Sequence, residues 1–261
     1  TLNPDAMAKH NSVRLRVMRQ VHYSAHNANS LDLVCFVNGI PVATLELKTD
    51  LTQSIDDAVR QYQEDRLPRD PTTNRNEPLL QFKRGALVHF AVSTDEVRMT
   101  TRLAGRETRF LPFNRGNNGG AGNPVNPTGY RTAYLWEQIL QRDAWLNIIG
   151  RYAHLERTTA QGRDGGAARE SLIFPRYHQW ESVSALVNTA RTERAGHRYL
   201  IQHSAGSGKT NSISWLAHQL AGLHGDDNDK VFDSVIVITD RNVLDSQLQD
   251  AIYQFEHKSG V

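Results

Sequence analysis

The chain is poor in cysteine, poor in lysine and without a long apolar run. A single cysteine, Cys35, excludes an internal disulfide framework and fits a reducing compartment. It sits in a strand-like apolar run, which makes it a core residue rather than a nucleophile. No segment approaches the roughly 18 consecutive apolar residues of a membrane-spanning helix. No secretory leader is recognisable, and a cytoplasmic location is expected. Net charge is also scant, at +2 with a pI near 8.7. That balance permits a nucleic-acid partner without requiring one. Six of the 30 basic residues are lysines, leaving 24 arginines. An arginine excess suits phosphate contact, because the guanidinium fork matches phosphate oxygens. Two of the six lysines, Lys48 and Lys209, fall inside chemical patterns.

What is present is enough for a folded α/β protein. Hydrophobic residues make up 39% of 261, sufficient for one large or two modest domains. Residues 31–50 carry two β-rich runs around Asn38-Gly39, a strong hairpin signal. Residues 54–66 have helical spacing, with Ile55, Ala58, Val59 and Tyr62 on one side. Ala86 to Val92 is an apolar strand and Val97 to Leu103 its partner. A turn-rich loop is expected over 114–129, and Tyr134 to Leu146 reads as a helix. Gly162, Gly165 and Gly166 mark an interdomain linker. Beyond it come a helix at 178–191, a strand at 199–202, a helix to 221, a strand at 234–239 and a helix near 242–254. Such alternation argues for a parallel sheet. The expected boundaries are 1–156, a linker over 157–170, and 171–261.

The most specific pattern is Ser204-Ala205-Gly206-Ser207-Gly208-Lys209-Thr210, lying between an apolar run and a helical one. Gly206 and Gly208 allow backbone N–H groups to approach phosphate oxygens. The helix N-terminus behind them adds partial positive charge. Lys209 is placed to reach the β- and γ-phosphates, and the Thr210 hydroxyl to ligate Mg²⁺. His203 stands where the longer form of this motif has its first glycine.

A second constellation lies in the hairpin. Asp32 opens its first strand, while Glu46 and Lys48 end the second, so the three meet. Glu46 and Lys48 project from one face, and Leu45 and Leu47 are expected to bury the other. Two converging carboxylates can hold a divalent metal through oxygen. A lysine beside them can stabilise charge developing on a phosphodiester. Gln61 and Tyr62, on the next helix, are candidates to support that site. The alternative from spacing alone is an edge strand with solvated charges. Arg98, Arg102, Arg106, Arg109 and Arg115, interleaved with Phe110 and Phe113, either track a DNA backbone or form a solvated hairpin with core aromatics.

Arg19-Gln20-Val21-His22-Tyr23, Leu31-Asp32-Leu33-Val34, Asn38-Gly39-Ile40-Pro41 and Leu45-Glu46-Leu47-Lys48 together resemble the N-terminal part of the R (restriction and motor) subunit of type I restriction enzymes. Leu31 replaces the family's usual proline, and Ala58 stands where a glutamine often lies four residues before a tyrosine. The resemblance implies an Asp…Glu-x-Lys restriction-endonuclease-like domain followed by a partial RecA-like P-loop motor domain. The second part resembles the first such domain of superfamily 2 translocases. Phe174-Pro175-Arg176-Tyr177-His178-Gln179 is similar to the segment whose glutamine reads adenine, although a surface position at a helix start is the plainer reading of Gln179. Thr239-Asp240-Arg241 is similar to a turn that contacts DNA. The family implies Mg²⁺-dependent cleavage of double-stranded DNA, ATP as cofactor, and specificity and modification (methyltransferase) subunits as partners. On this reading Asp32, Glu46 and Lys48 are catalytic, and Asp32 and Glu46 hold the nuclease metal. Gln179, Gly206, Gly208, Lys209 and Thr210 bind ATP. Such a chain is expected to be part of a longer one. Two other classes remain open: a DNA-binding adaptor with an inert nuclease site on a helicase-like motor, and a P-loop kinase or transporter ATPase.

Overall fold

A computed structural model describes residues 3–49, 53–158 and 169–239. Its architecture is mixed α/β. After a first helix, α1 (Pro4–Ser12), come β1 (Leu15–His22), β2 (Ser30–Val37) and β3 (Ile40–Leu47). Asn38 and Gly39 join β2 to β3 with φ of 50° and 83°. Both values are left-handed, as a twist-matched two-residue hairpin turn requires. The pairing is antiparallel, Leu33 opposite Leu45.

Helix α2 (Ile55–Glu64) starts at Ser54, whose N–H donates to Asp57 Oδ2 at 2.7 Å. It buries Ile55, Ala58 and Tyr62, a single helical face as the spacing predicts. The chain returns as β4 (Val88–Val92), parallel to β3 with Ala43 opposite Val88. All five β4 residues are buried, as a strand covered on both faces must be. Strands β5 (Val97–Thr100) and β6 (Leu111–Pro112) complete a six-stranded sheet in sequential order.

The helix expected from Tyr134 to Leu146 is broken. A wide turn at Leu135–Ile139 closes through Leu140 N–H to Leu135 O, and α3 (Arg142–Asn147) follows it. Ile139 and Trp145 are both buried, yet six residues apart they fall on different faces of a continuous helix. The break at Leu140-Gln141 rephases the apolar side. A second wide turn, Ile148–Tyr152, leads into β7 (His154–Thr158).

Strand β7 pairs antiparallel with β8 (Arg169–Ile173). The expected linker over 157–170 therefore begins and ends inside strands, while 159–168 lie outside the described residues. Nor does packing stop at 171. Phe174 and Tyr177 join the core beneath the sheet, with ring centroids 6.3 Å from Phe90 and Phe113 respectively. Thr101 Oγ1 donates to Leu172 O at 2.8 Å.

Helices α4 (Tyr177–Glu193) and α5 (Lys209–Ala221) pack around Trp215, Val183 and Val187. Trp215 Nε1 donates to Tyr152 O at 3.0 Å. The strands expected at 199–202 and 234–239 are not formed: neither run has regular secondary structure, and Leu200 and Ile238 are each 90% exposed. A parallel strand is stabilised by neighbours on its edges and helices on its faces. Here neither run joins a strand ladder. The helix expected near 242–254 lies outside the described residues.

Because Phe174 fills the core shared with β4, Phe174→Ala is expected to destabilise the six-stranded sheet itself, by about 3–5 kcal/mol. Urea unfolding followed by a probe in the sheet tests this. A sheet transition unmoved by the substitution would mean that the two parts fold separately.

Candidate active site

Glu46 lies near the end of β3 and is fully buried. The expected alternation holds only in part: Leu45 is buried as expected, but Leu47 is 41% exposed and the charged position faces inward. The reason is that β3 is an interior strand, bordered by β2 and β4 and packed by α2. A buried carboxylate needs a partner. Arg66, just past α2, supplies it: Arg66 Nε donates to Glu46 Oε1 at 2.7 Å, with the arginine only 8% exposed. Glu46 Oε2 is buried without a hydrogen bond. Arg66 was not among the expected site residues. Twenty positions separate it from Glu46, and no local pattern links the two.

Asp32 is brought beside Glu46, as the hairpin predicts. Its Oδ2 accepts the Leu47 N–H at 2.8 Å and its Oδ1 accepts from Gln20 Nε2 at 3.1 Å. Gln20 sits in β1 with a φ of 49°. Burial pushes the Glu46 carboxyl up to about 7, Arg66 opposes that rise, and the neighbouring Asp32 adds to it. Lys48 lies just past β3, half-buried, with its N–H on Val92 O at 2.8 Å. Its charge also reaches Asp57, whose carboxyl is held low chiefly by the Ser54 N–H and to a lesser degree by Lys48.

The two supporting residues differ. Tyr62 is fully buried beneath the site, its hydroxyl 2.8 Å from Thr44 Oγ1, which lies 2.7 Å from His89 Nδ1. Burial holds the Tyr62 hydroxyl well above its ordinary range and lowers His89 to about 3. Both are therefore neutral. Gln61 Oε1 is buried and without a partner. Burial pushes the Cys35 thiol up to about 11, in keeping with a core role.

Among the described residues no group of three or more His, Cys, Asp and Glu side chains is arranged to hold a metal. The donor set is the Asp32–Glu46 pair. It fits a hard divalent cation in chemistry, being all oxygen with one buried oxygen unpaired. The basic stretch is less open to DNA. Phe113 is fully buried and Phe110 packs against Tyr62. Arg98 is paired with Asp56 at 2.6 Å and Arg106 with Glu64 at 3.3 Å. Core aromatics with two ion-paired arginines favour the solvated-hairpin description.

The glycine loop forms a second constellation. Gly206 and Gly208 have φ of 72° and 82°, and Gly208 caps α5. The loop carbonyls turn toward the start of α4: Arg176 Nη2 donates to Gly206 O at 3.2 Å, His178 Nε2 to Ser207 O at 3.1 Å and Gln179 Nε2 to Gly208 O at 2.9 Å. Gln179 Oε1 accepts the Arg176 N–H at 2.9 Å. Gln179 is thus a buried loop-holding residue, not the surface residue of the plainer expectation. Lys209 Nζ folds onto the carbonyls of Ser204 and His203 at 2.9 and 3.2 Å. Thr210 follows in the first turn of α5, half-buried, its carbonyl accepting from Ser214 Oγ at 3.0 Å. Arg176 and His178 were not expected site residues, although they lie in the run that contains Gln179.

Comparison with known proteins defines two classes along the chain. Residues 5–108 match the family described as the type I restriction enzyme R protein N terminus, and residues 178–260 match that described as SWI2/SNF2 ATPase. The first match contains Asp32, Glu46, Lys48 and Arg66, and the second contains the glycine loop. The chain is also similar to a putative type I restriction enzyme MjaVIIIP endonuclease subunit of Methanocaldococcus jannaschii, 23% identical over 239 residues. That alignment takes in 87% of this chain and 20% of the relative, so the chain spans about a fifth of its length. Residues 5–108 are thus similar to the N-terminal part of type I restriction R proteins. No helix among the described residues is long and apolar enough to cross a membrane.

The Glu46 carboxyl keeps its proton to higher pH in the folded chain than in the unfolded one. Between its ordinary value of 4.5 and about 7, the folded state binds more protons, so this group's contribution to stability falls as pH rises. Each unit is worth about 1.4 kcal/mol. Buried His89 acts oppositely between about 3 and 6.5, where the unfolded state binds more protons. The Glu46 effect is therefore read as a difference. Glu46→Gln is expected to lose stability relative to wild type at pH 5 and to recover relative to it by pH 8, in urea unfolding. A wild-type-minus-mutant difference that is flat with pH would contradict the raised carboxyl.

Proposed function

We propose that this chain is the nuclease and nucleotide-binding portion of an ATP-dependent type I restriction motor subunit. The observation that carries the reading is the convergence of Asp32 and Glu46 on neighbouring strands with one buried carboxylate oxygen unpaired, inside the segment that matches the R-protein family. Six strands with α2 packed on β3 and β4 suit an Asp…Glu-x-Lys endonuclease fold. The glycine loop and its α5 suit the beginning of a RecA-like motor.

In this reading Asp32 and Glu46 hold Mg²⁺. When bound, the metal supplies Lewis-acid activation of the phosphodiester and a more acidic water. Lys48 adds positive charge where the attacked phosphate becomes most negative. Tyr62, Thr44 and His89 form an uncharged polar layer below. Gly206, Gly208, Lys209 and Thr210 take the ATP phosphates, with a second Mg²⁺ on the Thr210 hydroxyl. Gln179 acts first by holding the loop and also lies where an adenine would be read. The substrate is double-stranded DNA, and translocation powered by ATP precedes cutting. Specificity and modification subunits select the DNA, and the assembly works in the cytoplasm. The name of the M. jannaschii relative, an endonuclease subunit, agrees with this assignment.

A second reading, an adaptor whose nuclease site is inert, draws on the Arg66–Glu46 ion pair, which already neutralises one carboxylate. The readings part at cleavage. In the assembled full-length complex, Asp32→Ala, Glu46→Gln and Lys48→Ala are each expected to reduce nicking of circular DNA at least a hundredfold while leaving ATP hydrolysis intact. Full cutting by the Glu46 and Lys48 variants would favour the adaptor. Separately, Lys209→Ala removes a charge-assisted phosphate contact and is expected to weaken ATP binding tenfold or more in calorimetry. Unchanged affinity would remove Lys209 from the nucleotide site.

A further inference from the structure

Resting on the metal-site reading above, we infer that Arg66 is a positioning residue for the Glu46 carboxylate, fixing Oε1 so that Oε2 is the oxygen presented to the cation. The two oxygens of Glu46 differ sharply. Oε1 is held at 2.7 Å by Arg66 Nε, whereas Oε2 is sealed from water and bonded by no donor group, and the Asp32 carboxyl lies within hydrogen-bond reach of the Glu46 carboxyl. A buried carboxylate free to turn about its last bond would exchange these oxygens. The arginine removes that freedom, since its planar guanidinium donates along a fixed direction.

The arginine is itself held in place. It follows the last turn of α2, where its N–H and that of Asp65 both bond to Gln61 O at 3.0 and 2.9 Å. The helix end therefore sets where the guanidinium lies, and α2 is in turn seated on the sheet by Ile55, Ala58 and Tyr62. Asp32 has a different device: Gln20 and the Leu47 N–H each take one of its oxygens. Each carboxylate is oriented by a partner that is not itself a metal ligand. Loss of such an outer contact typically costs about ten- to a hundredfold in metal affinity.

The test is Mn²⁺ binding to the nucleotide-free full-length protein, by calorimetry and by electron paramagnetic resonance of free Mn²⁺. Thermal melting controls for folding. The site of interest is the Mn²⁺ binding lost in Glu46→Gln. Arg66→Met is expected to weaken binding at that site at least tenfold, and Arg66→Lys, which keeps the charge without the planar fork, to fall between it and wild type. A folded Arg66→Met that binds Mn²⁺ as tightly as wild type overturns the inference. Tighter binding does so as well, since it would make Arg66 a competitor of the cation. Should Arg66→Met not fold, Arg66→Lys decides: weaker binding supports the role of the fork and wild-type affinity refutes it. Wild type without Mn²⁺ at this site, or Glu46→Gln binding as wild type does, overturns the metal site together with the role of Arg66.

Discussion

A carboxylate sealed inside a sheet is the constraint from which the N-terminal half takes its shape. Glu46 has strands on both sides and no exposure to water. An isolated ion in such a place costs several kcal/mol at least. One buried arginine offsets this, and it must arrive from α2 because β2 and β4 occupy the edges of β3. The end of α2 is therefore tied to the chemistry of the sheet. Its start is tied too, by the Ser54–Asp57 cap and by the field of Lys48 on Asp57. Removing one partner of a buried pair strands the other. The helix, the sheet and the site thus form one mechanical unit.

Beneath the carboxylates lies a layer that is polar but uncharged. Tyr62, Thr44 and His89 satisfy one another, and burial keeps the ring of His89 neutral. A cationic histidine there would compete for Glu46. A neutral one fills space and fixes Thr44 on β3 without altering the charge balance above. Tyr62 joins the two functions of α2, since its ring packs with Phe110 and near His89 while its helix delivers Arg66. Here Tyr62 serves the floor of the site rather than the reacting space.

The legible parts of the molecule were those with local causes. Asn38-Gly39 specifies its turn through two left-handed residues, and the register that follows carries Asp32 to Glu46. The face of α2 and the extents of α4 and α5 follow from helical spacing. Burial across the sheet is not local. Leu45 is buried as alternation suggests, but alternation does not reveal that the opposite face, with Glu46, is covered too, or that Leu47 is exposed. The cover is α2, and the compensating charge, Arg66, lies just past the far end of that helix. The bounds of the expected linker differ for a similar reason: glycines mark its middle, but its end positions are strand residues paired with one another. The runs at 199–202 and 234–239 have strand composition, yet composition does not supply the neighbouring strands that a parallel sheet needs.

Gly208 shows how a motif spacing can have a mechanical reason beside its chemical one. Its φ of 82° already disfavours any other residue. A Cβ there would also collide with the side-chain amide of Gln179, the group that holds the Gly208 carbonyl. Two glycine requirements, conformation and clearance, coincide at one atom. Gln179 is only 3% exposed, and both ends of its amide are engaged. An amide oxygen has a second lone pair and an amide nitrogen a second hydrogen, so these bonds leave capacity for an adenine edge. That edge is covered while α4 and the loop stay in contact. In the nucleotide-site reading proposed above, a base that drew the Gln179 amide away from these bonds would release the Gly208 carbonyl, which would couple the base position to the phosphate loop through a single side chain.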